Sequence, residues 1–196
     1  MNFKKIIFFL LLFNLNYNPV LSFEPDVFIQ STVNRASQVL SKNLSRDEKI
    51  NELKTIAKET VDINGIGFYT LGSIRKDLNE NQIDKYLDLF EKYFLKSFSS
   101  RLSEYTNPKI EVKEKKILNK NYTIVNSVLV ATSSRPEVKI DWRVYTKDNN
   151  NPLIRDLIIE GLSLARTQKE EFASILSSND NNIKILIEKL EEFVNN

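Results

Sequence analysis

The chain has 196 residues, with 28 Lys plus Arg, 26 Asp plus Glu, no His and no Cys. The missing Cys exclude disulfides, thiol nucleophiles and thiolate-held metals, and the missing His remove the commonest general base and metal ligand. Four Gly leave no phosphate-cradling loop, whereas 41% apolar residues, twelve Phe and seven Tyr suit one folded domain rather than a disordered chain.

Residues 1–22 read as an export leader. Lys4 and Lys5 form its charged start, Ile6 to Phe13 its apolar run, and Val20-Leu21-Ser22 precede the expected cut. The run is too short for a membrane span, which needs about 20 apolar residues, and a lipoprotein would need a Cys. The mature chain is then one domain, 23–196. Removing Lys4 and Lys5 from the 28 basic residues leaves 26, equal to the 26 acidic ones. A neutral chain has no global attraction for polyanions, so no nucleic-acid partner is expected. Export without Cys points to a Gram-negative periplasm.

Helices fill the first half. From Asp26, the residues Val27, Val33, Ala36, Val39 and Leu40 keep helical spacing. Ser45 and Glu48 form a capping box ahead of Ile50, Leu53, Ile56, Ala57 and Val61. Asp62 caps a short third helix that stops near Leu71-Gly72. Asn79 to Gln82 gives a second box-like start. Behind it Ile83, Tyr86, Leu87, Phe90, Tyr93, Phe94, Phe98, Leu102 and Tyr105 recur every three or four residues until Asn107-Pro108. This aromatic stripe suits a packed core or the wall of an apolar cavity, and spacing leaves both open.

Four strands follow, over 110–118, 122–131, 137–146 and 153–162. The third alternates cleanly, with Val138, Ile140, Trp142 and Val144 on one face. Short polar links predict an antiparallel meander, and Lys113 to Lys116 mark an exposed edge. Two helices, 164–176 and 183–194, close the chain. The expected fold is α+β: a four-stranded antiparallel sheet with helices packed on one face. The dry sheet face must then meet the helices or something else.

Asp62, Asp141, Asp156 and Glu160 are the carboxylates within or beside apolar stretches. An isomerase- or hydratase-like enzyme on a cone-shaped α+β scaffold would use one of them. Without His or a clear second partner, structural roles suit them better: Asp62 as a helix cap, Asp141 with Arg143 as a rim pair, Glu160 as a hydrogen-bond acceptor at a corner. The Asn179 to Asn182 stretch lacks calcium-loop spacing, so no metal is expected.

Several segments together resemble the MlaC family, the periplasmic phospholipid-binding proteins of the Mla lipid-asymmetry system, also called the toluene-tolerance or ABC-transporter auxiliary family. Val61-Asp62-Ile63-Asn64-Gly65-Ile66, Leu71-Gly72, then Gln82 with Phe90 and Phe94 are similar to its helical signature. Val138 to Val144 resembles one of its strands. Asp156-Leu157-Ile158-Ile159-Glu160-Gly161-Leu162-Ser163-Leu164, followed by Glu171-Phe172, resembles its strand-to-helix segment. The chain departs at Arg75, where the family has Trp, around Pro152 and Leu153, where it has an aromatic, and at Gln168 and Lys169, where it has Tyr and Arg.

The resemblance implies a monomeric carrier and no enzyme. It would shuttle phospholipid between an outer-membrane lipoprotein–porin complex and an inner-membrane ABC transporter. Phospholipid is cargo and no cofactor is implied. The acyl chains would lie in an apolar pocket between sheet and helices, walled by Phe68, Tyr69, Phe90, Phe94, Phe98, Val128, Val130, Ile140, Trp142, Val144, Leu157 and Ile159. The headgroup would stay solvated at the mouth.

Overall fold

The computed structural model describes residues 24–147 and 151–196, so the leader expected over 1–22 lies outside the described residues. Helix α1 (Pro25–Ser41) opens on a proline, whose missing N–H costs nothing in a first turn. Helix α2 (Arg46–Thr60) starts at the capping box: Ser45 Oγ accepts the Glu48 N–H at 3.3 Å, and Glu48 Oε2 accepts the Ser45 N–H at 2.8 Å. Asp62 caps α3 (Ile63–Thr70) by accepting the Gly65 N–H at 2.9 Å. A 3-10 turn, Ile74–Lys76, leads to α4 (Glu80–Leu102), which Asn79 and Gln82 cap reciprocally.

Helix α4 ends three residues before the aromatic stripe does. Tyr105 is reached through a tightened turn, its N–H donating to the Leu102 carbonyl at 3.1 Å. The chain then reverses at Asn107, whose φ is 49°.

The sheet is an antiparallel meander in chain order: β1 (Ile110–Asn119), β2 (Tyr122–Leu129), β3 (Val138–Thr146), β4 (Pro152–Ile159) and β5 (Leu162–Ser163). It has five strands, not the expected four. The apolar run read as one strand over 153–162 is broken at Glu160-Gly161, with φ of 49° and 84°. Two positive-φ residues make a tight hairpin turn, and Ile159 pairs with Leu162 across it. Helices α5 (Leu164–Ser177) and α6 (Ile183–Asn195) complete the chain.

Strand β2 buries alternate residues, Thr123, Val125, Ser127 and Leu129, and β3 buries Ile140, Trp142 and Val144. Register joins the two sets: Leu129 faces Val138, Ser127 faces Ile140, Val125 faces Trp142 and Thr123 faces Val144. This is the dry face. Strand β4 carries a bulge, since Arg143 pairs with Asp156 but Val144 with Ile154, which leaves Arg155 as an extra residue.

Helix α1 lies against β1 and β2, while α2, α3 and α5 contact β4. Helix α4 packs against α2, α3 and α6 and stands back from the sheet. Its approach to α3 is close because Gly67 has no side chain: a Cβ there would sit 2.7 Å from Phe90 Cδ1 and 3.0 Å from Leu87 Cδ2. Beside this contact the Tyr86 hydroxyl bonds Thr70 Oγ1 at 2.7 Å, and both residues are buried. Thr70 Oγ1 also donates to the Gly67 carbonyl at 2.7 Å, so Tyr86 is the donor in the pair.

Burial pushes the Tyr86 phenol well above its ordinary 10.0, because the phenolate would be desolvated. The neutral form is therefore favoured in the folded state. Above pH 10 the unfolded chain ionises this group while the folded chain does not, so stability falls as pH rises. Tyr86→Phe should lower stability by about 1 kcal/mol near neutral pH and flatten the loss above pH 10. Denaturant unfolding of both proteins from pH 7 to 11 measures both effects.

Candidate functional site

Where α4 stands off the sheet, a cavity of about 420 Å³ remains. Its floor is the dry sheet face: Leu129 of β2, Ile140 and Trp142 of β3, and Ile154, Leu157 and Ile159 of β4. Phe90, Phe94 and Phe98 of α4 form the opposite wall. Val33, Ala36 and Leu40 of α1 with Leu53, Ile56 and Ala57 of α2 close one side, and Leu164 and Ala165 of α5 the other. The size falls within the ~300–1,000 Å³ range of small-molecule sites.

The wall is stiffened from behind. Phe94 and Phe98, one helical turn apart, stack with centroids 5.4 Å apart. Phe172 of α5 meets Tyr86 and Phe90 edge-on, each at 6.3 Å. On the floor, the Trp142 indole N–H donates to Ser127 Oγ at 2.8 Å, and Ser127 donates onward to the Ile140 carbonyl at 2.9 Å. A buried indole needs such an acceptor, and this one fixes the ring in the floor.

Seven of the twelve residues named from the sequence line the cavity: Phe90, Phe94, Phe98, Ile140, Trp142, Leu157 and Ile159. Val144 is on the dry face but fully buried in filled core, beyond the cavity's edge. Val128 lies on the other sheet face, and Val130, just past the end of β2, is not on the lining. The inward positions of β2 are Thr123, Val125, Ser127 and Leu129. Ser127 is polar because it receives the indole, and that breaks the apolar alternation by which the strand's inner face is recognised.

Phe68 and Tyr69 are also off the wall, 43% and 41% exposed. Helix α3 buries Ile63, Ile66, Gly67 and Thr70, which turns the two aromatics outward. There Arg75 stacks over Phe68 at 5.2 Å and Lys169 Nζ lies 4.9 Å from the Tyr69 ring centre. Tight helix contact selected glycine, not aromatics, for the inner position.

The lining contributions of α1, α2 and α5 were absent from the sequence reading. Their apolar stripes show that a face is buried, not whether it meets a neighbour or a void. Tyr93, Ser97, Arg101 and Tyr105 of the α4 end, with Thr167, Gln168 and Glu171 of α5, form the more polar part of the lining.

Each candidate carboxylate is held. Asp62 accepts from the Gly65 N–H and, at 2.6 Å, from Arg155 Nε. The Arg155 guanidinium also donates to the Tyr122 hydroxyl at 2.7 Å and stacks 3.6 Å from the Tyr145 ring centre. Asp141 accepts from Asn126 Nδ2 at 2.7 Å. Glu160 Oε1 accepts the Lys139 N–H at 2.5 Å. Asp156 is 5% exposed and borders the cavity; it accepts from the Ser163 hydroxyl at 2.7 Å and the Ala165 N–H at 3.0 Å. It thus anchors the start of α5, where the helix dipole favours a negative charge. Among the described residues no cluster of acidic groups is arranged to hold a metal.

Asp156→Ala should leave the buried Ala165 N–H unpaired and the half-buried Ser163 hydroxyl without its acceptor, and destabilise by about 1–3 kcal/mol. Hydrogen exchange should show the loss first in the opening turn of α5, from Leu164 to Thr167.

The comparisons with known proteins fit this geometry. A family model described as MlaC protein matches residues 30–192. A curated relative from Haemophilus influenzae, the intermembrane phospholipid transport system binding protein MlaC, is 23% identical over 198 residues, covering 97% of this chain and 91% of its own. A solved structure of a phospholipid-binding protein from Ralstonia solanacearum, in complex with a phospholipid, superposes with a TM-score of 0.73 at 17% identity. That match covers 86% of this chain and 96% of the other and shows a shared fold.

Proposed function

The chain belongs to the MlaC family, and on that premise we propose that it is a phospholipid carrier whose acyl chains occupy the cavity between the sheet and α4. The observation that carries this reading is the cavity itself: apolar on its floor and far wall, about 420 Å³, and bounded by five helices and four strands. The cavity opens to solvent, so without an occupant water would lie against its apolar floor and wall, which is unfavourable in proportion to the apolar area left wet. An apolar occupant removes that cost. A lipid tail in turn loses about 0.8 kcal/mol for each CH₂ left in water, so slot and tail each supply what the other lacks.

The carrier reading extends to place and partners. The Haemophilus relative's name describes intermembrane transport, which supports a periplasmic protein that is exported by the 1–22 leader and works as the single domain 23–196. It would receive lipid from a complex in one membrane and deliver it to a complex in the other, the outer-membrane lipoprotein–porin assembly and the inner-membrane ABC transporter. The carboxylates around the cavity act as scaffold, each engaged by a donor, and no reaction is assigned to them.

The test is to express the full sequence, purify the protein without detergent, and analyse its organic extract by mass spectrometry. A near-stoichiometric phospholipid is expected; a clean extract from folded protein that also takes no lipid from vesicles would end the proposal. Ile140→Trp fills the floor of the cavity. In a carrier it should fold and lose most of its lipid, whereas in a filled core the overpacking would cost about 1–3 kcal/mol. Lipid content and denaturation midpoint, measured together, separate the two.

A further inference from the structure

The floor of the cavity does not stop at its edge. Ile140 on β3 pairs with Ile159 on β4, and Ile159 pairs with Leu162 on β5. Residues directly opposite in an antiparallel sheet share a face, with Cβ atoms about 4.5–5.5 Å apart. The three side chains therefore form one rung on the cavity side of the sheet. Exposure rises along it: Ile140 is buried, Ile159 is half-buried, and Leu162 is 59% exposed. Ile140 and Ile159 belong to the lining, and Leu162 is the next step outward.

Leu164 lies beside this rung. It is the first residue of α5, it lines the cavity, and it is 40% exposed. Of the exposed residues on the described lining, Arg101, Tyr105, Leu164 and Glu171, it alone has a wholly apolar side chain. The α2 side is closed by contrast, since Leu53, Ile56, Ala57 and Thr60 are all buried.

The backbone around Leu162 is held on both sides. The Glu160 N–H donates to the Lys139 carbonyl at 3.1 Å, and the Glu160 carboxylate accepts the Lys139 N–H at 2.5 Å. The Ser163 hydroxyl donates to Asp156 at 2.7 Å and accepts the Arg166 N–H at 3.1 Å. At the tip, a Cβ on Gly161 would meet no atom within 4 Å, so the turn projects into open space. An exposed leucine by itself is ordinary. Here it sits between two anchored residues, on the same rung as the cavity floor, and gives the cavity a fixed apolar threshold.

We infer that Leu162 is the threshold the acyl chains cross on entry and exit, where it covers methylene groups that water would otherwise meet midway. The inference rests on the carrier reading above and adds the route to it. A side chain that touches the tail only in transit lowers the barrier in both directions and leaves the filled and empty states as they were. Its effect is on rates, not on how much lipid the protein holds.

The experiment loads the purified protein with tritiated phosphatidylglycerol, mixes it with excess phosphatidylcholine vesicles, and follows the label left on the protein. Uptake from labelled vesicles is followed in the same way. Leu162→Gln should slow release and uptake alike by about fourfold, the rate equivalent of one methylene group left in water. Its lipid content at equilibrium and its melting temperature should match the wild type, and Leu162→Met should restore the rates. Ile117→Gln makes the same kind of change at a 71% exposed residue on β1, the opposite edge of the sheet, and should leave both rates alone. Rates that Leu162→Gln leaves intact, a loss of bound lipid at equilibrium, or equal slowing by Ile117→Gln, the mark of general adhesion to vesicles, overturn the threshold alone. Folded wild-type protein that takes no lipid overturns the carrier reading and this one with it.

Discussion

The contact between Gly67 on α3 and the ring of Phe90 on α4 fixes how far α4 is from everything else. Held there, and by α2 and α6, the helix turns its aromatic face toward the sheet without reaching it. A core normally collapses until such a gap closes. Here the surrounding pieces are tied instead: Tyr86 to Thr70, Trp142 to Ser127, and Asp156 to the start of α5. These hydrogen bonds are buried, and each would leave an unpaired group if its element moved inward. Polar bonds thus keep an apolar space open, and the occupant inherits a slot whose walls are already in place.

The same reasoning separates what the sequence disclosed from what it hid. Helix starts were legible, because a cap is a local device: Ser45, Asp62 and Asn79 each satisfy N–H groups a few residues away. The meander was legible from its short turns, and β3 from its alternation. Strand β5 was not, since two residues carry no periodic signal; its sign was the Glu-Gly pair at the turn. The inner face of β2 was hidden by Ser127, a polar residue inside because Trp142 requires it. Phe68 and Tyr69 were misplaced for the converse reason, since the inner position of a close helix crossing needs a small residue. Burial by a neighbour and burial by a cavity leave the same stripe, so the contributions of α1, α2 and α5 needed three dimensions.

The acidic residues illustrate how a scaffold and an active site differ. A catalytic carboxylate keeps lone pairs free for the reacting atom. Asp62 has a helix N-terminus on one oxygen and Arg155 on the other. Arg155 owes its position to the bulge in β4, which inserts it beside Tyr122 and Tyr145. The bulge thereby links the end of the sheet to the cap of α3, and through α3 to α4. A strand irregularity and a helix cap act as one joint, and that joint helps to set the width of the cavity on its far side.

Trp142 is the only tryptophan in the chain, and it lies in the cavity floor with its indole nitrogen tethered. Any tryptophan emission from this protein therefore comes from one ring of known surroundings. Its colour depends on whether water or hydrocarbon fills the space above it, and a brominated acyl chain lying there would quench it. The fold thus carries its own label at the place where cargo would sit, and exchange with a membrane can be followed in real time on the unmodified protein.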